Sequence, residues 1–187
     1  MTEALKRRII MPFTGSYAEF EHVFTHELVH AFQYDVIFRN PLRDVSLVGF
    51  RPHLWFMEGM AEYLSIGRID ANTEAWLRDA VLAGYIRSIA QMSRRDDYLS
   101  YRFGQSLWTY VGGKWGDEVV GVLLQRAPRM GIEAAFETTL GLTLDELSDE
   151  WLESIREAYL PQVADRQRPG AFAQRLTDHE EPGDDWY

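Results

Sequence analysis

The chain contains no cysteine among its 187 residues. This absence excludes disulfide bonds, thiolate ligands for a metal ion and a cysteine nucleophile, although it does not fix the compartment. The sequence also contains no internal repeat and no low-complexity block, which argues against repeat architectures and against global disorder.

Basic residues are few: 19 Lys and Arg stand against 29 Asp and Glu, which gives a formal net charge of −10. Such a balance argues against nucleic acid or an anionic membrane surface as a partner. No apolar run approaches the roughly 18 residues of a membrane-spanning helix, so no membrane insertion is expected. Residues 1–8, MTEALKRR, lack the apolar core of a signal peptide. The chain is then either cytoplasmic or part of a longer protein with a targeting segment upstream.

Apolar residues make up 46% of the chain, which suits a globular protein with one sizeable core. We expect one domain over residues 1–160, followed by a loose C-terminal tail or linker over residues 161–187, which are polar and spaced by Pro and Gly. The predicted fold is mostly α (α+β), a helical bundle with a small β element at its edge.

The N-terminal part of the chain predicts one strand and one long helix. Residues 8–13 form a short apolar run, and Pro12, which cannot donate to a β ladder, favours an edge strand. Ser16-Tyr17-Ala18-Glu19 has the form of a capping box and predicts a helix from Tyr17 to about Phe38. Apolar residues occupy most of the circumference of this helix, which predicts that it is buried.

Apolar periodicity and turn residues predict six further helices. Asn72 or Thr73 is the expected cap of the second of them, and Pro161 is expected to end the last. Residues 40–52 and 93–97 are expected to be irregular. The predicted helices cover residues 54–65, 73–92, 103–111, 117–125, 131–139 and 143–159.

The first helix contains the pattern His26-Glu27-Leu28-Val29-His30. On a helix, His26 and His30 project from one face a turn apart, so both imidazoles can bind one zinc ion. Glu27 lies beside the first ligand, where its carboxylate can reach a water on the metal. Polar groups inside a core need partners, and a metal ion is one such partner. The alternative is two histidines that happen to lie in a core helix.

A third ligand is available in the helix predicted over residues 54–65. Glu58 and Glu62 are one turn apart on one face, where two carboxylates would repel each other unless a cation or a proton donor faced them. Zinc bound by Glu58, and the outer N–H of a ligand histidine donated to Glu62, would meet both needs. The alternative is an amphipathic helix with two solvated glutamates.

The His-Glu-x-x-His helix is followed by a helix with Trp55-x-x-Glu58-Gly59-x-Ala61-Glu62-Tyr63 and later by Tyr-x-x-Gly. These three motifs resemble those of the gluzincin metallopeptidases, which have a zincin-like fold. The sequence is most similar to the bacterial peptidase MA-like domains, distant relatives of thermolysin and aminopeptidase N, and in particular to members that precede TolB-type β-propellers in envelope proteins. The resemblance covers residues 8–159. It implies one zinc ion bound by His26, His30 and Glu58, with Glu27 as general base and Glu62 supporting a ligand histidine. It also suggests a periplasmic, secreted or cell-envelope location.

Two segments depart from the aminopeptidase pattern. Tyr101-Arg102-Phe103-Gly104 is similar to Tyr-x-Lys-Gly, whose tyrosine stabilises the tetrahedral intermediate, but Phe103 replaces the lysine. Tyr101 is the candidate for this role; Tyr98 and Tyr110 compete with it, and a packing role is the alternative. Residues 8–13 lack the glutamate of the Gly-x-Met-Glu-Asn strand that holds a substrate amine, which weakens an exopeptidase assignment. As an edge strand they could still align an extended peptide.

The remaining histidines and the large aromatic residues have simpler interpretations. His22 and His26 could form an alternative metal pair, but that register puts Val23 where the base belongs, so His22 is expected to support the site or to pack. His53 is expected on a surface loop, and His179 is incidental in the tail. The aromatic side chains expected in the core are Trp55, Phe56, Trp108 and Trp151.

The sequence thus predicts a zinc metallopeptidase that hydrolyses peptide bonds of a peptide or protein substrate, in an endopeptidase-like manner. The alternative is a zinc-bound, catalytically weak or inactive binding or assembly module that docks on a β-propeller or another partner. A third possibility is a helical protein without a metal, in which the motif arose by chance.

Overall fold

A computed structural model describes residues 2–3, 8–11, 13, 15–38, 50–95, 97–164, 166–167 and 169–174. Within these ranges the chain is mostly helical, with a small two-stranded sheet, as the sequence predicts. The helices are α1 (Tyr17–Phe38), α2 (Leu54–Ile66), α3 (Ala71–Ala83), α4 (Ile89–Met92), α5 (Leu99–Trp115), α6 (Glu118–Met130), α7 (Ile132–Leu140) and α8 (Leu144–Ala164), followed by one 3₁₀ turn at Pro169–Ala171.

The sheet consists of β1 (Thr2–Glu3) and β2 (Arg8–Ile9), paired antiparallel with Thr2 opposite Ile9 and Glu3 opposite Arg8. The predicted strand over residues 8–13 is wrong in length, since pairing ends at Ile9. The cross-strand ion pair between Arg8 and Glu3, at 2.7 Å, supports this short register. Strand β1 contacts α1, which places it beside the His-Glu-x-x-His segment.

Helix α1 begins at Tyr17 as predicted, and the Ser16 hydroxyl accepts a hydrogen bond from the Glu19 backbone N–H at 3.3 Å. The prediction that this helix is buried is wrong. Only His30, Gln33 and Ile37 on it are buried, because α2, α6 and the two short strands leave much of its surface uncovered. Its exposed large apolar side chains are Tyr17, Val23, Phe24, Leu28, Phe32 and Phe38.

Helices α2 and α5 form the most extensive contact among the described residues, and glycines make their close crossing possible. A Cβ atom added to Gly59 would lie 2.5 Å from the Gly104 backbone, and one added to Gly104 would lie 2.7 Å from the Trp55 carbonyl oxygen. Around this crossing lies the aromatic core, in which the four predicted side chains, Trp55, Phe56, Trp108 and Trp151, are fully buried. The crossing brings Glu58 and Glu62 of α2 next to the start of α5.

Several predicted helix boundaries need correction. The single helix predicted over residues 73–92 is two helices, because Gly84 adopts a left-handed φ of 79° that ends α3. Helix α4 then starts from a capping box between Ser88 and Gln91. The cap of α3 is Asp70, whose carboxylate accepts from the Thr73 N–H at 2.7 Å, and not Asn72 or Thr73.

Two other helices pass residues that were expected to end them, and a third starts earlier and ends later than predicted. Helix α8 continues through Pro161 to Ala164, because the proline lies in the exposed last turn, where water can satisfy the carbonyl that it leaves free. Helix α6 extends beyond residue 125 through Pro128 to Met130. Helix α5 starts at Leu99 and continues through the glycine pair of residues 112–113. Gly112 leaves room there for the Tyr63 hydroxyl.

No helix of the described segments combines the length and the apolarity needed to cross a bilayer. Most of the expected irregular segment (residues 40–49 of 40–52) lies outside the described residues, as do Pro12 and the tail residues 175–187, which include His179.

Candidate metal centre

Helices α1 and α2 bring three ligand atoms together: Nε2 of His26, Nε2 of His30 and Oε2 of Glu58. The two nitrogens are 3.0 Å apart, and the carboxylate oxygen lies 3.1 Å from His26 and 2.9 Å from His30. A tetrahedral ion with ligands at about 2.0–2.1 Å separates its ligand atoms by about 3.3 Å. The donor set and its spacing therefore fit one zinc ion with little adjustment.

The orientation of His30 is fixed from inside the fold. Gln33, one turn further along α1, is fully buried and donates its amide N–H to the Met57 carbonyl oxygen at 2.9 Å. Its Oε1 is therefore free to accept from Nδ1 of His30, at 2.7 Å. With Nδ1 held by Gln33, Nε2 is the ring nitrogen that faces the candidate metal position.

His26 lies between two glutamates. Its Nδ1 is 3.0 Å from Oε1 of Glu62, an ion-pair contact without the alignment of a full hydrogen bond. Burial opposes the charged imidazolium, but the neighbouring Glu58 and Glu62 carboxylates outweigh it and raise the pKa of His26 to about 9. In the absence of a metal ion, a proton on His26 therefore supplies part of the positive charge that the two carboxylates need.

The carboxylates show the reciprocal effect. Burial would raise the pKa of Glu58, but hydrogen bonds and charge interactions with His26 and His30 lower it to about 2. Burial is likewise outweighed at Glu62, where contacts with His22, His26 and Arg102 hold the pKa well below the usual range. Both glutamates are therefore anionic at neutral pH, as a metal ligand and a hydrogen-bond acceptor must be.

Glu27 follows His26 on α1 and is partly buried. Thr2 of β1 donates its hydroxyl to Oε2 of Glu27 at 2.7 Å and to the Glu27 carbonyl oxygen at 2.9 Å. Burial would raise the pKa of Glu27, but the hydrogen bonds and charges around it, of which the hydrogen bond from Thr2 is one, keep it below its ordinary value. Glu27 is thus a carboxylate at neutral pH.

Two tyrosine rings stack on the two imidazoles. Tyr101 of α5 lies over His26, with ring centroids 6.5 Å apart and planes inclined by 14°; Tyr34 lies over His30 at 6.0 Å and 22°. Burial and the charge of the neighbouring Glu58 carboxylate raise the pKa of Tyr101. Tyr101 therefore remains a neutral hydrogen-bond donor at any physiological pH.

The competing tyrosines are engaged elsewhere. The Tyr98 hydroxyl accepts from Nε of Arg102 at 3.0 Å, and the Tyr110 hydroxyl donates to Glu150 of α8 at 3.0 Å. Of the three tyrosines considered for the oxyanion role, Tyr101 is the one whose ring stacks on His26.

Two other histidines, His22 and His53, belong to the described residues. His22 approaches Glu62, with Nε2 3.6 Å from Oε2, so it can support the site. His53 precedes α2, stacks on Trp55 at 6.5 Å, and lines a separate open cavity of about 440 Å³. That cavity shares no lining residue with the candidate metal centre.

Sequence reasoning missed four residues that contact the site: Gln33, Tyr34, Thr2 and Arg102. A signal existed for the first two, because they follow His30 by three and four residues and so lie near its face of the helix. No comparable signal existed for Thr2 and Arg102, which come from distant elements.

Comparison of the chain with known protein families, with curated proteins and with solved structures gives no match. Proposals about function therefore rest on the motif and on the geometry of the site.

Proposed function

We propose that the chain is a zinc-dependent metallopeptidase of the gluzincin type, with His26, His30 and Glu58 as zinc ligands. The observation that carries the proposal is the convergence of their three ligand atoms within 2.9–3.1 Å. Two imidazoles and one carboxylate are the ligand set of catalytic zinc sites that keep a further coordination position open. The side chains of His26 and Glu58 are 12% and 18% exposed, which supports access for a substrate.

When bound, zinc would polarise the scissile carbonyl group and lower the pKa of the attacking water. Glu27 accepts the proton of that water and transfers it to the leaving amine. Tyr101 donates its O–H to the oxygen that becomes negatively charged as the carbonyl is attacked. Gln33 and Glu62 hold the two imidazoles so that their Nε2 atoms face the same point.

The expected substrate is a peptide or protein, and the reaction is endopeptidase-like. Within the described sheet, β2 carries no carboxylate, and Glu3 of β1 is paired with Arg8 at 2.7 Å. Neither strand therefore offers an uncompensated carboxylate for a free substrate amine, which supports internal cleavage.

The experiment that tests the proposal compares the wild type with Glu27→Gln. The variant is expected to bind one zinc ion per chain as the wild type does, and to lose hydrolysis by about 10²–10⁴-fold because the proton acceptor is gone. Zinc content is measured by elemental analysis, and hydrolysis by mass spectrometry of a digested peptide library. A Glu27→Gln protein that cleaves as fast as the wild type would contradict the assignment, as would a wild type that takes up no zinc.

The second candidate is a zinc-bound module that docks on a partner and has little peptidase activity. The exposed apolar side chains on the outer face of α1 favour it, since such a face is typical of interaction surfaces. The same digest separates the two functions. A wild type that binds zinc but shows no more cleavage than Glu27→Gln would support the module.

A further inference from the structure

We propose that Arg102 is a positioning residue of the zinc site: it holds Glu62 so that this carboxylate faces the outer nitrogen of His26. The inference rests on the proposed zinc site and adds to it a residue that neither the His-Glu-x-x-His motif nor the α2 motif contains. Arg102 touches none of the three ligand atoms, so its effect on zinc must pass through Glu62.

The guanidinium group is fixed from three directions. Its Nη1 lies 3.0 Å from Oε2 of Glu62, its Nε donates to the Tyr98 hydroxyl at 3.0 Å, and Nη1 is 3.7 Å from Asp70. The Arg102 side chain is 12% exposed and that of Glu62 is 6% exposed, so water screens the pair little. An arginine held in this way offers its planar fork in one orientation only.

Glu62 divides its two oxygens between two partners. Arg102 engages Oε2, whereas Oε1 faces Nδ1 of His26 at 3.0 Å. With Oε2 occupied, the carboxylate cannot rotate freely, and its remaining oxygen stays directed at the imidazole. His26 is thereby held with Nε2 towards Glu58 and His30. Residues that orient a ligand histidine in this way typically contribute 10–100-fold to metal affinity.

The guanidinium also decides how many ions this region can hold. His22, His26 and Glu62 form a second group of donor atoms close enough to suggest another metal site. A divalent ion there would share Glu62 with a guanidinium that already lies 3.0 Å from its Oε2, and the two cations would repel each other. Arg102 therefore takes the place of a second metal ion, and one zinc ion is expected at the described cluster of histidines and glutamates.

The test measures zinc affinity of the purified chain by competition with a chromogenic chelator. Arg102→Gln is expected to weaken binding by about 10–100-fold. Arg102→Lys, which keeps the charge but not the planar fork, is expected to recover only part of the lost affinity. The matched control is Arg87→Gln, which breaks another partly buried ion pair. Arg87 lies between α3 and α4, and its guanidinium is 2.6 Å from Asp97, which precedes α5. The control variant is expected to lower stability to urea without changing zinc affinity.

A double-mutant cycle separates positioning from general stabilisation. If Arg102 acts through Glu62, then Arg102→Gln adds little further loss of zinc affinity in a Glu62→Gln background. An undiminished loss in that background overturns the inference, and so does an Arg102→Gln variant with wild-type affinity. If Arg102→Gln does not fold, Tyr98→Phe replaces it, because this variant removes the hydroxyl that accepts from Nε of Arg102. Tyr98→Phe must then lower zinc affinity in the wild-type background but not in the Glu62→Gln background.

Zinc binding distinguishes a wrong role for Arg102 from a wrong zinc site. If the wild type binds no zinc, or if His26→Ala binds zinc equally well, both the proposed zinc site and the role of Arg102 are wrong. If the wild type binds one zinc ion through His26 and Arg102→Gln has the same zinc affinity, only the role of Arg102 is wrong. Uptake of two zinc ions per chain overturns the claim that the guanidinium excludes the second.

Discussion

At the scale of single residues, spacing along a helix could predict which candidate ligands share a helix face, but contacts between distant elements could not be predicted. His26 and His30, and then Glu58 and Glu62, were predicted to share helix faces because residues four apart always do. That the two faces meet each other is a property of the packed fold. Arg102 and Thr2 lie 40 and 25 residues from their partners, Glu62 and Glu27, so no local pattern connects them.

Gln33 is the residue for which local reasoning could have gone further. A fully buried glutamine in an apolar helix must satisfy its amide, and its position three residues after His30 places it beside that ring. One of its hydrogen bonds holds His30 and the other joins α1 to α2 at the candidate metal centre.

Replacement of Gln33 by methionine, which has a similar volume, tests this role. The variant leaves Nδ1 of His30 buried without its partner, which should lower the free energy of unfolding of the zinc-free protein by about 1–3 kcal/mol. Zinc affinity should fall by about 10–100-fold, because the imidazole can then adopt the wrong tautomer or orientation. Urea unfolding and chelator competition measure the two effects.

Gln105→Met is the control for this substitution. Gln105 is also buried and donates to a backbone carbonyl, that of Gly67, at 2.7 Å. Its loss should lower stability in a similar way and leave zinc affinity unchanged. Equal losses of zinc affinity in both variants would show that Gln33 acts through general stability alone.

At the scale of helices and strands, capping boxes were the reliable signal, whereas a single cap residue and a proline were misleading. The box that begins at Ser16 marks the start of α1, and Thr143 and Glu146 form a second box at the start of α8. The cap of α3 is Asp70 and not the expected Asn72 or Thr73. Pro161 does not end α8, because its missing N–H matters little in an exposed final turn. The two-residue pairing of β2 could not be predicted from its apolar run, since it depends on β1, which carries no strand pattern of its own.

The crossing of α2 and α5 is the element-level feature on which the site depends. It holds the helix of Glu58 and Glu62 against that of Tyr101 and Arg102, and glycines at residues 59 and 104 allow the backbones to touch. Without the structure, Gly59 and Gly104 are two isolated helical glycines with no visible reason to occur.

Gly104→Ala should force these two helices apart. The new methyl group would meet the Trp55 carbonyl oxygen at 2.7 Å and Cα of Gly59 at 2.9 Å, both rigid backbone atoms. We expect a net loss of about 1–3 kcal/mol in the free energy of unfolding, despite the better helix propensity of alanine. Zinc affinity should also fall, because Glu58 moves with α2.

Gly121→Ala on α6 is the matched control, since a Cβ atom at that position meets nothing within 4 Å. It should leave stability unchanged or raise it by up to about 1 kcal/mol. Urea unfolding of both variants decides the matter, and a Gly104→Ala protein as stable as the wild type would show that the crossing tolerates a wider separation.

At the scale of the whole molecule, α1 has two dissimilar sides. Its inner side carries the histidines and faces α2, and its outer side carries large apolar residues exposed to solvent. The sequence predicted a buried helix because apolar residues surround it almost completely, and this composition says nothing about whether a neighbouring element is present. In the described residues α1 therefore lies at the edge of the bundle, with the candidate metal centre between it and α2.

Phe32, which is 63% exposed, tests this arrangement. Since its ring is already largely hydrated in the folded chain, Phe32→Ser should change the free energy of unfolding by no more than about 0.5 kcal/mol and reduce the binding of a fluorescent apolar dye. Phe136→Ala, at a fully buried ring, should cost about 3–5 kcal/mol. A large loss for Phe32→Ser would instead mean that the outer face of α1 is covered in solution. If the covering element were a second copy of the chain, that loss would grow with protein concentration, because dissociation would then be coupled to unfolding.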